Sequence, residues 1–313
     1  MKPLPSVTRL QVVCLLAWSI CLASYAGLEQ RLPPKSVVTP TELPGAETFI
    51  YRALEPEPLR LHICKPANWM ASDRRPAFLY FFGGGWQRGV PSVAWPRFAA
   101  SLGLVGIAAD YRTKERFGTS AVSSVADARA ALRWVEDHAA ELGIDERRII
   151  VAGSSSGGHL ALWAAMGATP FGSDPAAAPT VPPVGLVLIS PVSDTSRASG
   201  FGWDRFDGHG DALSPYQQLP AGLPPVLLIH GDSDPVVNYT QSEKLAAKLK
   251  ASGEVEFVTV PGGTHSFEKD LPGWAQKTRE LVEKFLSCHG LASTAYGGIS
   301  SPDGPRRNPS LNP

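Results

Sequence analysis

An α/β fold, a mostly parallel sheet with helices on both faces, is predicted by three observations. Short continuous apolar runs recur through the middle of the chain, at Ala77 to Phe82, Leu104 to Ala109, Ile149 to Ala152, Val184 to Ile189 and Val226 to Ile229. Between several of them, apolar residues repeat every three or four positions, the period of a helix with one buried face. Strand-length apolar runs that alternate with helical patterns are what a parallel sheet covered on both sides requires.

Taken in order, Leu59, Leu61 and Ile63 alternate with polar residues and read as an early, half-exposed strand. The five continuous runs follow, and Val255 to Val260 alternates again as a late strand. Val125, Ala128, Leu132, Val135, Ala139 and Leu142 define one helical face, with Ser124 as its N-cap, Asp127 three residues on, and Gly143 at its C-terminal end. Gly157 to Met166, Gln241 to Lys250 and Trp274 to Leu286 read as three further helices. Ser193 to Gln218 has no clean period and carries Phe201, Trp203, Phe206 and Tyr216, so it is expected to be a long excursion over one edge of the site.

The ends differ from the middle. Lys2 and Arg9 flank the start of a roughly 14-residue apolar stretch, Leu10 to Ala23, and Ser24-Tyr25-Ala26 offers small residues around a cleavage after Ala26. Residues 1–26 are therefore expected to be a signal peptide of a secreted or periplasmic protein, or a membrane anchor if uncleaved. Residues 27–45 are expected to form a linker, 46–290 the folded domain, and 291–313, rich in Ser, Pro, Gly and Asn, a disordered tail. Two of the four cysteines fall in the signal. Cys64 and Cys288 remain, and export permits a bridge between them, although two buried free thiols is the favoured reading. No C-x-x-C or H-x-x-x-H spacing marks a metal site.

Composition narrows the partners. The chain has 29 basic and 29 acidic side chains, a balance that argues against nucleic acid, whose binding shows as a basic excess. No apolar run reaches the length of about 20 residues that a membrane span needs.

The chemistry concentrates at four places. Gly153-Ser154-Ser155-Ser156-Gly157 follows the strand Arg148 to Ala152 and opens a helix, the strand–turn–helix setting in which G-x-S-x-G exposes a nucleophile. Only Ser155 has glycines at both flanking positions, and the helix start favours negative charge developing there. A serine needs a base, and His265, in the glycine-bearing loop Pro261 to Phe267, is the best placed. His159 is the rival by proximity but faces away along the helix and reads as packing, and His230 reads as a structural hydrogen-bonder. The base needs an acid: Asp234, ahead of Pro235, is preferred to Asp232. Finally, Gly83-Gly84-Gly85 after the apolar run to Phe82 can turn backbone N–H groups toward an oxyanion. Gly84, Gly85 and the N–H of Ser156 are assigned as those donors. Trp86 and Trp203 are expected to contact substrate, and Asp110-Tyr111-Arg112 to tie loops together.

Phe81–Trp86, Asp110-Tyr111-Arg112, Gly153–Ala161, Asp234 and His265 together resemble the α/β-hydrolase superfamily. The nearest branch is the bacterial acetyl-esterase and hormone-sensitive-lipase-like group, which includes esterases acting on acetylated xylan. The resemblance spans about Thr48 to Leu286 and has the chain order Ser155, Asp234, His265 of those enzymes. It implies an eight-stranded, mostly parallel sheet, a Ser–His–Asp triad and no cofactor. Two positions depart from the family pattern: Phe82 stands where a histidine usually precedes the glycines, and Ser154 and Ser156 replace the usual Asp and Ala around the nucleophile. The expected function is a serine carboxylic-ester hydrolase working through an acyl-enzyme on short acyl esters, with sugar and polysaccharide esters among the candidates. Its partners would be a small-molecule or carbohydrate ester, with no nucleic acid and no stable membrane span. The rivals are an exported peptidase of the prolyl-oligopeptidase type, which shares the triad order, and a hydrolase fold used only for binding.

Overall fold

The computed structural model describes residues 39–292, apart from 169, 176–177, 199–200 and 252. The expected signal peptide, most of the expected linker and nearly all of the expected tail lie outside the described residues. Eight strands form one sheet in the order β1-β2-β4-β3-β5-β6-β7-β8. They are β1 Glu47–Arg52, β2 Leu59–Cys64, β3 Arg75–Phe81, β4 Val105–Ala109, β5 Ile144–Ser154, β6 Gly185–Ile189, β7 Val226–Gly231 and β8 Val255–Val260. β2 runs antiparallel to both β1 and β4, and the remaining pairs are parallel.

The continuous apolar runs have the physical origin expected of them. On β3, Phe78 and Tyr80 join the layer that holds Ala99 of α1 (Ala94–Ser101) and Val282, Phe285 and Leu286 of α7 (Trp274–Cys288). Ala77, Leu79 and Phe81 face the opposite layer, with Val125 and Leu132 of α3 (Ala121–Asp137), Leu160 of α4 (Ser156–Ala165) and Leu245 of α6 (Thr240–Lys250). Successive side chains of a strand point to opposite faces, so a strand buried on both must be apolar at every position.

β1 is an edge strand with no fully buried residue, and its Ile50 is 56% exposed. That is why ETFIYR carries no apolar signal. α1 buries only Pro96 and Ala99 and had no readable period. A short helix, α2 (Lys114–Phe117), precedes α3. α3 begins at Ala121, and Ser124 does not cap it. Ser124 is buried inside the helix and donates its hydroxyl to Arg112 O (2.7 Å), while Asp127 accepts from Arg112 Nε and Nη2 and from Arg52 Nη1. The two polar residues that resembled a cap hold the loop after β4 instead. The expected excursion contains a 3₁₀ turn, Trp203–Phe206, and a short helix, α5 (Pro215–Gln218). Thr39, in the expected linker, is buried and donates to Glu57 Oε1. Cys64 and Cys288 are both free; Cys64 is buried and Cys288 exposed. Among the described residues, no helix is long and apolar enough to cross a membrane.

Asp110 anchors the loop that leaves β4. It is fully buried and accepts from Arg116 Nη1 (2.7 Å) and Nη2 (2.8 Å), and Arg116 Nε reaches Glu57 across the loop. Removing one partner of a buried pair strands the other charge. Asp110→Ala is therefore expected to cost about 3–5 kcal/mol, read as a lower urea midpoint with the transition slope unchanged; a loss below about 1 kcal/mol, the range of an exposed pair, would contradict the buried anchor.

Candidate active site

β3, β5, β6, β7 and β8 are parallel neighbours, so their C-terminal ends share one rim. Ligands of open α/β sheets bind at that rim. It carries Gly83–Gly85 after β3, Ser155 after β5, Ser190 after β6, Asp234 after β7 and His265 after β8. Gly83, Gly84, Gly85, Ser155, Ser190 and His265 all line one cavity of about 800 Å³.

The turn holding Ser155 is set by two glycines. A Cβ on Gly153 would stand 2.2 Å from Gly157 O, and one on Gly157 would stand 2.1 Å from Phe81 O. No side chain fits either place, so β5, α4 and the end of β3 pack backbone to backbone. Ser155 itself is left-handed, at φ 55° and ψ −122°. Such a conformation costs of order 1–3 kcal/mol in a non-glycine residue and persists only where its surroundings impose it. Here Ser155 N–H donates to Ile189 O (3.0 Å), and Ser155 O accepts from Val192 N–H and Gly158 N–H.

The three adjacent serines separate by partner. Ser154 Oγ is hydrogen-bonded to Tyr80 Oη, and Ser156 Oγ accepts from Gly85 N–H (2.9 Å). Ser154 and Ser155 both line the cavity, but of the three hydroxyls only that of Ser155 has no hydrogen-bond partner among the described residues.

Asp234 sits at the centre of a charged hydrogen-bond cluster. Its Oδ2 accepts from His265 Nδ1 at 2.7 Å and from His230 Nε2 at 2.9 Å, and its Oδ1 accepts from the N–H groups of Val236 and Val237. Burial pushes this carboxyl up, but the bonds from His230, His265 and the Val236 N–H overcome it and hold the carboxyl well below the usual range. With the Nδ1 proton directed to Asp234, Nε2 of His265 carries the lone pair a base needs. Among the described residues no hydrogen bond joins Ser155 Oγ to His265. Both line the same cavity, and in ligand-free enzymes such a bond is often long and tightens only in the reacting complex. Asp232, the competing acid, is exposed and accepts from Ser233 and Gly262 instead.

His159 is fully buried, bonded through Nε2 to Leu213 O and edge-on to Trp86; burial pushes its pKa down to about 3. His230 is more than a local hydrogen-bonder. It too is fully buried, with Nε2 directed at Asp234 and Val237 O and Nδ1 at Ser242 Oγ (2.6 Å). Sequence reasoning missed its contact with the acid, although the four-residue spacing across a tight turn was the available signal.

Gly84 has no room for a side chain: a Cβ there would stand 2.0 Å from Arg88 O, and φ is 139°. Gly85 differs. Its N–H, expected to face an oxyanion, is engaged by the Ser156 hydroxyl. Among the described residues, the N–H groups of Gly84 and Ser156 donate to no protein acceptor. Phe82 stacks on Tyr111 with ring centroids 4.2 Å apart, and Tyr111 Oη donates to Phe82 O (2.9 Å).

Trp86 and Trp203, expected to contact substrate, do not line the cavity. Trp86 is fully buried, its ring 4.9 Å from those of His159 and Phe206. Trp203 packs against Gly210 and lies under Arg197. Trp86 and Phe206 join the core layer that holds Val125 and Leu160, and Phe201 and Arg205 reach the cavity in place of the two tryptophans.

Similar proteins place this geometry. A family model described as BD-FAE matches residues 61–174. The native structure of Est2, a thermophilic esterase of the planctomycete Thermogutta terrifontis, is 34% identical with a TM-score of 0.74, and the match covers 84% of this chain and 98% of that one. The chain belongs to the α/β-hydrolase esterases. Among curated relatives of this family, the esterase LipQ of Mycobacterium tuberculosis is 26% identical over 72% of this chain and 58% of its own length. The carboxylesterase NlhH of the same organism is 30% identical over 55% of this chain and 54% of its own. The chain thus spans about half the length of these two curated esterases. These matches place the chain in the hormone-sensitive-lipase-like branch.

His230 donates to the same Asp234 oxygen as His265. A carboxylate that loses one donor becomes a stronger acceptor for its remaining partner and stabilises an imidazolium more. His230→Leu is therefore expected to move the acid limb of the kcat/KM–pH profile to higher pH. An unmoved limb with only a lowered Tm would reduce His230 to packing.

Proposed function

We propose that this protein is a serine carboxylic-ester hydrolase acting through an acyl-enzyme. The observation that carries the reading is the short bond from His265 Nδ1 to the buried Asp234 carboxylate, at the rim where Ser155 is held left-handed in the shared cavity. Ser155 Oγ attacks the ester carbonyl as its proton passes to His265 Nε2, and Asp234 stabilises the imidazolium. The oxyanion is met by the free N–H groups of Gly84 and Ser156, each worth roughly 3 kcal/mol of barrier. Gly85 N–H joins them only by releasing Ser156 Oγ. His265 then protonates the leaving alcohol, and water repeats the sequence to free the acid.

Short acyl esters are the proposed substrates. The esterase from Thermogutta terrifontis has been described with propionate and with butyrate bound, and as phosphorylated by paraoxon. A cavity of about 800 Å³ exceeds the needs of a short acyl group, and the remaining space supports a larger alcohol such as a sugar. Export is proposed from the basic residues and apolar stretch before Ala26.

Wild-type protein is expected to hydrolyse p-nitrophenyl acetate, propionate and butyrate faster than long-chain esters, and to be labelled by a fluorophosphonate. Ser155→Ala should lower kcat by about 10⁴-fold or more and abolish labelling; wild-type rates in that variant would end the proposal. The mature protein recovered from its host is expected to begin after Ala26, as read by N-terminal sequencing, and a chain that retains residues 1–26 would refute cleavage.

A further inference from the structure

We infer that the ester cleaved at this site carries a carboxylate, held by the Arg205 guanidinium beside the glycine loop; the inference rests on the ester-hydrolase reading above.

The cavity wall is charged in one direction. Arg88, Arg205 and Lys269 line it, with Glu268 as the only acidic side chain among its lining residues. Composition does not explain this, because the whole chain is balanced at 29 basic and 29 acidic residues. Burial pushes the Glu268 carboxyl up, against the pull of Arg279 and Lys269, which weakens the one negative charge present.

Arg205 is the cation built into the structure. It leaves the 3₁₀ turn Trp203–Phe206, is half-buried, and lies 5.4 Å over the Phe201 ring. Its Nη1 donates to Gly85 O (3.2 Å) and stands 2.5 Å from where a Cβ on Gly85 would be. The guanidinium therefore occupies the space that the missing side chain of the oxyanion loop leaves open. It spends one of its five N–H donors on Gly85 O, and a planar fork of the remaining donors matches a carboxylate in two-point contact.

What it lacks is an anion. Among the described residues, none of Arg88, Arg205 and Lys269 has a carboxylate within ion-pair distance. Elsewhere, Arg52, Arg75, Arg112 and Arg116 each meet one. Arg88 and Lys269 are exposed and act mainly as a screened field drawing an anion inward, whereas the half-buried Arg205 can hold it.

The test compares charged esters with their uncharged amide twins, using the purified full chain and acid release in a pH-stat. Monoethyl adipate against ethyl adipamate puts the charge on the acyl side. Meta-acetoxybenzoate against meta-acetoxybenzamide puts it on the alcohol side. In at least one pair, kcat/KM is expected to favour the carboxylate by about tenfold or more, the scale of a hydrogen bond to a charged group. Arg205→Gln should bring that ratio close to one, and Arg205→Lys should keep only part of it, since an ammonium gives no fork. Because Arg205 also holds the Gly85 carbonyl, the ratio and not either rate is the readout. Raising salt from about 20 to about 500 mM should shrink the wild-type ratio, a check that needs no variant. Ratios at or below one in both pairs, or a ratio unchanged by Arg205→Gln, would overturn the inference. If none of the four esters is cleaved faster by wild type than by Ser155→Ala, the ester-hydrolase reading itself fails, which is a separate result.

Discussion

Gly157 stands so close to the carbonyl oxygens of Phe81 and Phe82 that a Cβ there would lie 2.1 and 2.5 Å from them, and this contact decides where the other groups of the site can be. It draws the first turn of α4 onto the end of β3, while Gly153 lets β5 enter the same space. With both α-carbons bare, the chain between them has room only for a left-handed residue, and Ser155 takes that conformation. The same approach brings the glycine loop after β3 within hydrogen-bond reach of α4, as the Gly85 to Ser156 bond records. The proposed nucleophile and oxyanion donors are thus set by one backbone contact, and the register of β3 against β5 from Ala77 to Phe81 holds it in place.

The acid side is organised by a different constraint. Asp234 is a carboxylate with a fully buried side chain, and burying an ion is costly unless its oxygens are hydrogen-bonded. Four donors meet it, two backbone N–H groups on one oxygen and two imidazoles on the other. His230 reaches it from inside the sheet and His265 from the cavity side, so the acid is fixed from the core outward. Ser242 Oγ, bonded to His230 Nδ1, extends the chain of contacts into α6.

Much of this was legible in the sequence for reasons that are now physical. The central strands were readable because burial on both faces leaves no polar position, and the nucleophile turn because its two flanking glycines are steric necessities. What escaped had weak local signals. β1 pairs only along one edge and buries little, so its residues carry no pattern. Ser124 and Asp127 looked like a cap because a cap and a tertiary anchor use the same side chains; only the position of Arg112 distinguishes them. Trp86 and Trp203 lie off the cavity because an aromatic ring next to a site can face either the cavity or the protein, and the tertiary fold, which no local pattern encodes, makes that choice.

The ring of Phe82 lies flat on Tyr111 at the position where the sequence departs from the pattern it resembles, which has an imidazole there. A phenyl group has no proton to gain or lose, and its hold on the glycine loop comes from stacking and from the backbone bond with Tyr111 Oη. Any loop shape that depended on an ionisable ring at this place would change across mildly acidic conditions. Here the same segment is shaped by dispersion and a neutral hydroxyl, so the glycine loop keeps its architecture across that range of acidity.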